Sequence, residues 1–151
     1  MAAPSDVAAE ADLDLPPSVV VHRKVEWVDT DAAGHHHHGA VLRWVEAAEA
    51  VLLQRRGVTD LFGRIPRVHY EVDYRSRLWF GQEVQVELTV AQVGEKSVRY
   101  EFVVRSGDVV AATGNLVIVL AAPDAPTAAP WPDAVREALT RGGPQAAETY
   151  A

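Results

Sequence analysis

No cysteine occurs among the 151 residues, which excludes disulfides, thiolate metal ligands, cysteine nucleophiles and redox motifs in one step. Any chemistry must come from oxygen and nitrogen side chains. Long apolar runs are also missing. The opening MAAPSDVAAEADLDLPPS has four acids and no Lys or Arg, which fits neither a secretory signal nor an Arg-rich transit peptide; the expectation is a cytoplasmic protein with no membrane partner. Positive charge is the third scarcity: 14 Lys and Arg stand against 21 Asp and Glu, a net charge of -7. Nucleic-acid binding needs a basic surface, so no nucleic-acid partner is expected. The deficit sits at the ends, however. Residues 1–17 carry -4, residues 121–151 carry -2 and residues 18–120 only -1, so a phosphate-bearing small substrate is not excluded.

What is present fits one folded unit. A chain of 151 residues makes one domain of ordinary size and leaves too little for a second core. Hydrophobic residues make up 48% and charged ones 23%, near average globular usage, so a buried core is expected. Residues 1–17 are rich in Ala, Pro and acid and end in Pro16-Pro17, the pattern of a disordered acidic arm stopped by a stiff turn. Residues 18–120 are the expected folded domain. Residues 121–151 read as a Pro/Ala-rich linker, a candidate short helix over 131–141 and a flexible tail.

Period-two alternation marks the strands. Val19, Val21, Val25 and Trp27 share one side of a first strand; Val68, Tyr70, Val72 and Tyr74 of a second; Val84, Val86, Leu88 and Val90 of a third; Val98, Tyr100, Phe102 and Val104 of a fourth. Ser106-Gly107-Asp108 is a hairpin signal leading into a fifth strand over Val109 to Leu120. That run is apolar on both faces, and Gly114 within it suggests a bulge or a close backbone contact. Its second face, with Val110, Ala112, Leu116, Ile118 and Leu120, is expected to need a cover, which sheet-to-sheet dimerisation would supply. Between the first two strands the period changes. Val41, Trp44, Val45, Ala48, Val51 and Leu52 recur at three- and four-residue spacings from Ala40 to Arg56, and Gly57 supplies a left-handed stop. The order of elements gives an α+β fold: an antiparallel sheet of about five strands packed on one long central helix.

Chemistry concentrates in the polar loop Asp29 to Gly39 that precedes the helix. A helix start offers unpaired backbone N–H groups and partial positive charge, able to hold a developing oxyanion. Asp31, a few residues upstream, offers a carboxylate that suits a base toward water or a nucleophile. Together they suit acyl transfer. The plainer alternative is that Asp29 and Asp31 make Asx turns or cap the helix.

At these residues the chain resembles a known family. Val28-Asp29-Thr30-Asp31-Ala32-Ala33-Gly34, followed after four residues by a helix carrying Trp44 and Glu46, is similar to the Asp-x-Asp-x-x-Gly signature of hot-dog-fold acyl-CoA thioesterases of the 4-hydroxybenzoyl-CoA thioesterase type. The resemblance covers about residues 19–120 and extends to Val68-His69-Tyr70-Glu71-Val72-Asp73-Tyr74 and Gly81-Gln82-Glu83-Val84. It implies a sheet wrapped around the helix, an acyl-CoA or acyl-carrier-protein thioester as substrate, no cofactor, and a homo-oligomer, dimer or tetramer, with sites between subunits. On the same resemblance Asp31 is the catalytic carboxylate, and His38 supplies the carbonyl-polarising N–H and an orienting imidazole. Asp29 shapes the turn, and His37, Gly39, Lys96 and Ser97 bind substrate, the last two toward the coenzyme's phosphate end. A non-hydrolytic module that binds or processes an acyl or polyketide thioester is the competing function.

His35-His36-His37 depart from the aliphatic or aromatic residues usual in those relatives and would make the pocket more polar and pH-sensitive. A metal site is the sharper reading of the run. Alternate side chains of an extended loop point to opposite sides, so His35 with His37, or His36 with His38, are the pairs able to share an ion. With no Cys and no acid at a ligand spacing, no metal is expected. Arg77 stands where relatives often have Pro and reads as a solvated strand residue. Trp27, Trp44, Trp79 and Tyr74 either line an acyl pocket or pack between sheet and helix, and His69 faces solvent or an interface.

Overall fold

The structure is a computed structural model, and it describes residues 10–148 apart from 33 and 37. The alternating segments form strands β1 (Ser18–Lys24), β2 (Arg67–Tyr74), β3 (Glu83–Val93), β4 (Ser97–Ser106) and β5 (Val109–Ala121), and the helical period forms α1 (His38–Arg55). A short β6 (Ala128–Ala129) and a second helix, α2 (Asp133–Thr140), follow. The strands pair antiparallel in the order β1-β3-β4-β5-β2, with β6 added to the end of β5. The expected α+β hot-dog arrangement is therefore present: one curved sheet around one long helix.

Burial of α1 drives this shape. Ala40, Val41, Trp44, Val45, Ala48, Val51 and Leu52 are all buried, a stripe at helical spacing rich enough in Ala to let the sheet approach closely. The sheet answers with Val19 and Val21 of β1, Val84, Val86, Leu88 and Val90 of β3, and Val98, Tyr100, Phe102 and Val104 of β4. The helix stops where the sequence says it should. Gly57 takes φ 72°, and Val58 N–H to Leu53 O (3.0 Å) with Gly57 N–H to Gln54 O (3.2 Å) make the paired bonds of a Schellman end.

Three expectations are corrected. First, β1 ends at Lys24 rather than Trp27; Val25 stays buried, but Trp27 is 77% exposed. The chain instead turns through a 3-10 segment at Trp27–Asp29, because the buried Asp29 side chain accepts the Glu26 N–H at 2.8 Å. Second, Ala112, Leu116, Ile118 and Leu120 of β5 are core residues, not an uncovered second face. The opposite face presents Thr113, Asn115, Val117 and Val119, flanked by Arg99 and Glu101 of β4 and by Glu71 of β2. It is too polar to demand an apolar cover, so this face gives no reason for sheet-to-sheet dimerisation. Third, Val68 is exposed, because a bulge in β2 between Arg67 and His69 turns it outward.

Arg67 points inward at that bulge. Its guanidinium pairs with the buried Glu49 of α1 and bonds Glu46 Oε2 at 3.0 Å and Ile65 O at 3.1 Å. Burial works against the Arg67 charge, but Glu49 and Glu46 outweigh it and hold the group above its ordinary range. The chain beyond β5 also packs on the core: α2 buries Val135, Ala138 and Leu139, and residues up to Glu148 run beside β1, with Gln145 N–H to Ser18 O at 2.7 Å and His22 N–H to Glu148 O at 2.9 Å. Of the expected N-terminal arm, residues 1–9 lie outside the described residues, and Glu10–Asp14 form a 3-10 turn.

Gly114 marks a close approach rather than a bulge. A Cβ there would stand 2.0 Å from Glu71 O and 2.6 Å from the Phe102 ring. Gly114→Ala is expected to destabilise the fold by about 1–3 kcal/mol, the usual cost of overpacking, read as a lower urea midpoint. An unchanged midpoint would show that β2 and β5 separate more easily than their register implies.

Candidate active site

The loop before α1 is built by Asp29. Its Oδ1 takes an ion pair from Arg43 of α1 at 2.5 Å while Oδ2 holds the Glu26 N–H, so the first acid of the motif is spent on the turn and on tying it to the helix. Asp31, two residues on, is exposed. Its backbone N–H bonds His35 O at 3.1 Å and its carbonyl accepts from Gly34 N–H at 3.0 Å, which closes a small loop. Gly34 lies at φ 87°, a conformation that other residues adopt only under strain.

His36 fastens this loop to the segment after β2. Its N–H donates to Leu78 O at 2.7 Å, and the Leu78 N–H donates back into the ring Nδ1 at 3.1 Å. The ring is only 6% exposed and lies against Tyr74, centroids 5.7 Å apart, and Trp44, 6.4 Å. An Nδ1 that accepts a backbone N–H carries no proton, so the imidazole is neutral with its proton on Nε2. Burial pushes its pKa down and the neighbouring His35 adds to this, against an opposing pull from Asp31.

The helix begins at His38. The first-turn N–H groups of an α-helix have no acceptor within it, and Tyr74 OH donates to His38 O at 2.6 Å, tying the end of β2 to this point. Asp31 and His38 both line one open cleft of about 400 Å³. His35, His36, Tyr74 and the segment Arg75, Ser76 and Arg77 complete its walls.

The expected site residues thus divide. Asp31 and His38 share the cleft. Gly39 is the second residue of α1, and His37 lies outside the described residues. Lys96 ends the β3–β4 turn and Ser97 opens β4, where it pairs with Val119; Tyr74 pairs with Ala112 at the other end of the sheet. The eight residues of β2 separate those ends by roughly 25 Å. The buried role of His36 and the cleft positions of Arg75, Ser76 and Arg77 were missed; Arg77, expected as a solvated strand residue, lies beyond the end of β2 in the cleft wall. Nothing in four consecutive histidines says which one turns inward, whereas Tyr74 to Arg77 had a usable signal as the polar end of a strand leading into a turn. Of the aromatics, Trp44 packs inside, while Trp27 and Phe80, 60% exposed, touch edge to face at 5.8 Å. Among the described residues no three His, Asp or Glu side chains come together as a metal-ligand set, and none of the helices is long and apolar enough to cross a membrane.

The thioesterase-like superfamily matches residues 25–139. This chain belongs to that superfamily. The match spans the loop, α1, the meander and most of α2. Among solved structures, a thioesterase from Thermus thermophilus complexed with coenzyme A and Zn is 30% identical, with TM-score 0.73 over 80% of this chain and 90% of that one. A gentisyl-coenzyme A thioesterase is 25% identical, with TM-score 0.71 over 81% of this chain and 99% of that one. A 1,4-dihydroxy-2-naphthoyl-CoA thioesterase from Synechocystis shares the fold at 21% identity, with TM-score 0.74 over 81% and 95% of the two chains. No curated protein matches significantly.

His36 generates a pH prediction. The unfolded chain takes up a proton on His36 near pH 6.5, but the folded chain resists it to lower pH, so more protons bind the unfolded state in that window and stability falls as the pH drops below about 6.5. Replacing His36 by Ala orphans the buried Leu78 N–H and is expected to cost about 1–3 kcal/mol at pH 8. The gap between wild type and His36→Ala should shrink toward pH 5 in urea titrations. A gap that stays constant or widens on acidification contradicts the neutral buried ring.

Proposed function

We propose that the protein hydrolyses an acyl thioester, on coenzyme A or an acyl carrier protein, with Asp31 as the reacting carboxylate. The observation that carries this reading is the meeting of Asp31 and the start of α1 in one cleft. A thioester carbonyl seated there has a carboxylate on one side and helix-start N–H groups on the other. Asp31 takes a proton from an attacking water, or attacks the carbonyl itself to give a mixed anhydride that water then opens. Negative charge gathering on the carbonyl oxygen is held by the backbone N–H groups of His38 and Gly39, fixed dipoles that need no rearrangement as the charge grows. The C–S bond breaks, and sulfur leaves as a thiolate without a strong acid. The His38 imidazole orients the water or thioester, and His37 and Gly39 contact the acyl end. Among the similar structures, one is named a gentisyl-coenzyme A thioesterase and another is a thioesterase complexed with coenzyme A, which supports the substrate class.

In this proposal the protein acts as a dimer or tetramer. The support is β2, an edge strand whose free side offers a hydrogen-bonding row to a second copy. Lys96 and Ser97, at the far end of the sheet within one chain, would then serve the coenzyme's phosphates from a neighbouring subunit.

Thiol release from short, long, branched and aromatic acyl-CoAs tests the activity. Asp31→Asn is expected to lower turnover by about 10²–10⁴-fold with the thermal unfolding curve unchanged. Unchanged turnover in the variant removes Asp31 from the chemistry. Saturable acyl-CoA binding without any thiol release would instead identify a non-hydrolytic module.

A further inference from the structure

We propose that Arg75 and Arg77 read a carboxylate carried by the acyl group, so that the favoured substrate is the thioester of a short dicarboxylic or similarly anionic acid. The inference rests on the thioesterase reading and narrows it.

The arginines sit on a segment tied down on both sides. At its start Tyr74 OH donates to His38 O at 2.6 Å; at its end Leu78 exchanges two hydrogen bonds with His36. Between these ties the N–H groups of Arg75 and Ser76 both bond Ala111 O, at 2.8 and 3.2 Å. Ala111 is the extra residue at the β5 irregularity opposite Val104 and Arg105. The backbone that carries the two guanidinium groups is thus fixed relative to the helix start, and both arginines line the cleft that holds Asp31.

Among the described residues neither guanidinium has a carboxylate or carbonyl partner; Arg55, Arg64 and Arg105 share that state, but only Arg75 and Arg77 line the cleft, while Arg43, Arg56, Arg67 and Arg136 are engaged elsewhere. Asp31 is the sole acid among the residues lining the cleft, and Ser76 adds a hydroxyl between the two arginines. Each guanidinium presents several donors in a planar fork, and a carboxylate matches that fork in two-point contact.

Size selects the acyl end over the coenzyme as the source of the anion. The cleft of about 400 Å³ suits a small ligand. The pantetheine arm keeps the coenzyme's phosphates well away from the thioester, so a phosphate cannot share so small a cleft with the reacting carbonyl. An anion on a short acyl chain can.

Equilibrium binding of two non-hydrolysable thioethers tests this without requiring turnover: S-(3-carboxypropyl)-coenzyme A and S-butyl-coenzyme A. Wild type is expected to bind the carboxylated analogue about ten-fold tighter, a difference of about 1.4 kcal/mol. Arg75→Gln combined with Arg77→Gln should abolish that preference, with thermal unfolding confirming that the variant is folded. No preference in wild type, or one that survives the double substitution, overturns the proposal. It also falls if the double variant binds both analogues equally more weakly while the matching phosphate-free pantetheine thioethers are unaffected, because the arginines then hold the coenzyme. A carboxylate preference in binding without hydrolysis of any acyl-CoA would leave this inference standing and remove the thioesterase reading.

Discussion

The ion pair between Glu49 and Arg67 sets the geometry on which the rest depends. Glu49 lies in the middle of α1 and is 3% exposed, so it must be paired; a buried charge stripped of its partner costs about 3–5 kcal/mol. Its partner comes from the first residue of β2. Arg67 and Tyr70 both point toward the helix side, yet they are three residues apart, which a two-residue period forbids. The bulge at Val68 absorbs the extra residue. From there the register runs on unchanged, placing Val72 opposite Gly114 and Tyr74 opposite Ala112. Tyr74 thereby reaches His38 O, and Arg75 to Arg77 arrive over the start of α1. A one-residue slip would send these side chains to the other face.

A second constraint acts within the loop. Asp29 and Asp31 look equivalent in the motif, but the structure separates them by environment. Asp29 is buried and held by Arg43 and the Glu26 N–H, so its work is to bend the chain and anchor it to the helix. Asp31 is exposed at the cleft. The histidines divide in the same manner: His36 faces inward as a neutral acceptor for Leu78 N–H, while His35 sets its ring edge-on to Trp79 at 5.7 Å.

Much of the fold was legible because its signals are local. Alternation located β1 to β4, the Ser106-Gly107-Asp108 hairpin signal located β5, and the three- and four-residue spacing with Gly57 located α1. What could not be read depended on partners distant in sequence. Val68 reads as buried until Arg67 is known to seek Glu49, 18 residues earlier. Trp27 extends the β1 pattern until Asp29 bends the chain. The even-numbered residues of β5 resemble an uncovered face until α1 and the neighbouring strands are seen to cover them. At the cleft, the motif pointed to Asp31 and the helix start, which the fold brings to one cleft, since both follow from order along the chain. Arg75 and Ser76 enter from another strand, and their arrival at the cleft is a matter of register.

The total charge of -7 illustrates the difference between composition and site. Screening limits the reach of exposed charges to about 8–10 Å in physiological salt, so acids on the terminal segments say little about a cleft walled by two arginines, three histidines and one aspartate. What governs such a cleft is how firmly its groups are held. Fixing each loop residue costs about 1–2 kcal/mol in backbone entropy, while each hydrogen bond returns about 1 kcal/mol net. The loop from Thr30 to His36 therefore cannot be held by its own turn bonds alone. The two-way contact of His36 with Leu78 and the burial of the His36 ring against Tyr74 and Trp44 supply the remainder. A group held in place before substrate arrives spends less of the binding energy on ordering. The inward histidine thus fixes the position of the Asp31 carboxylate as much as the motif that carries it.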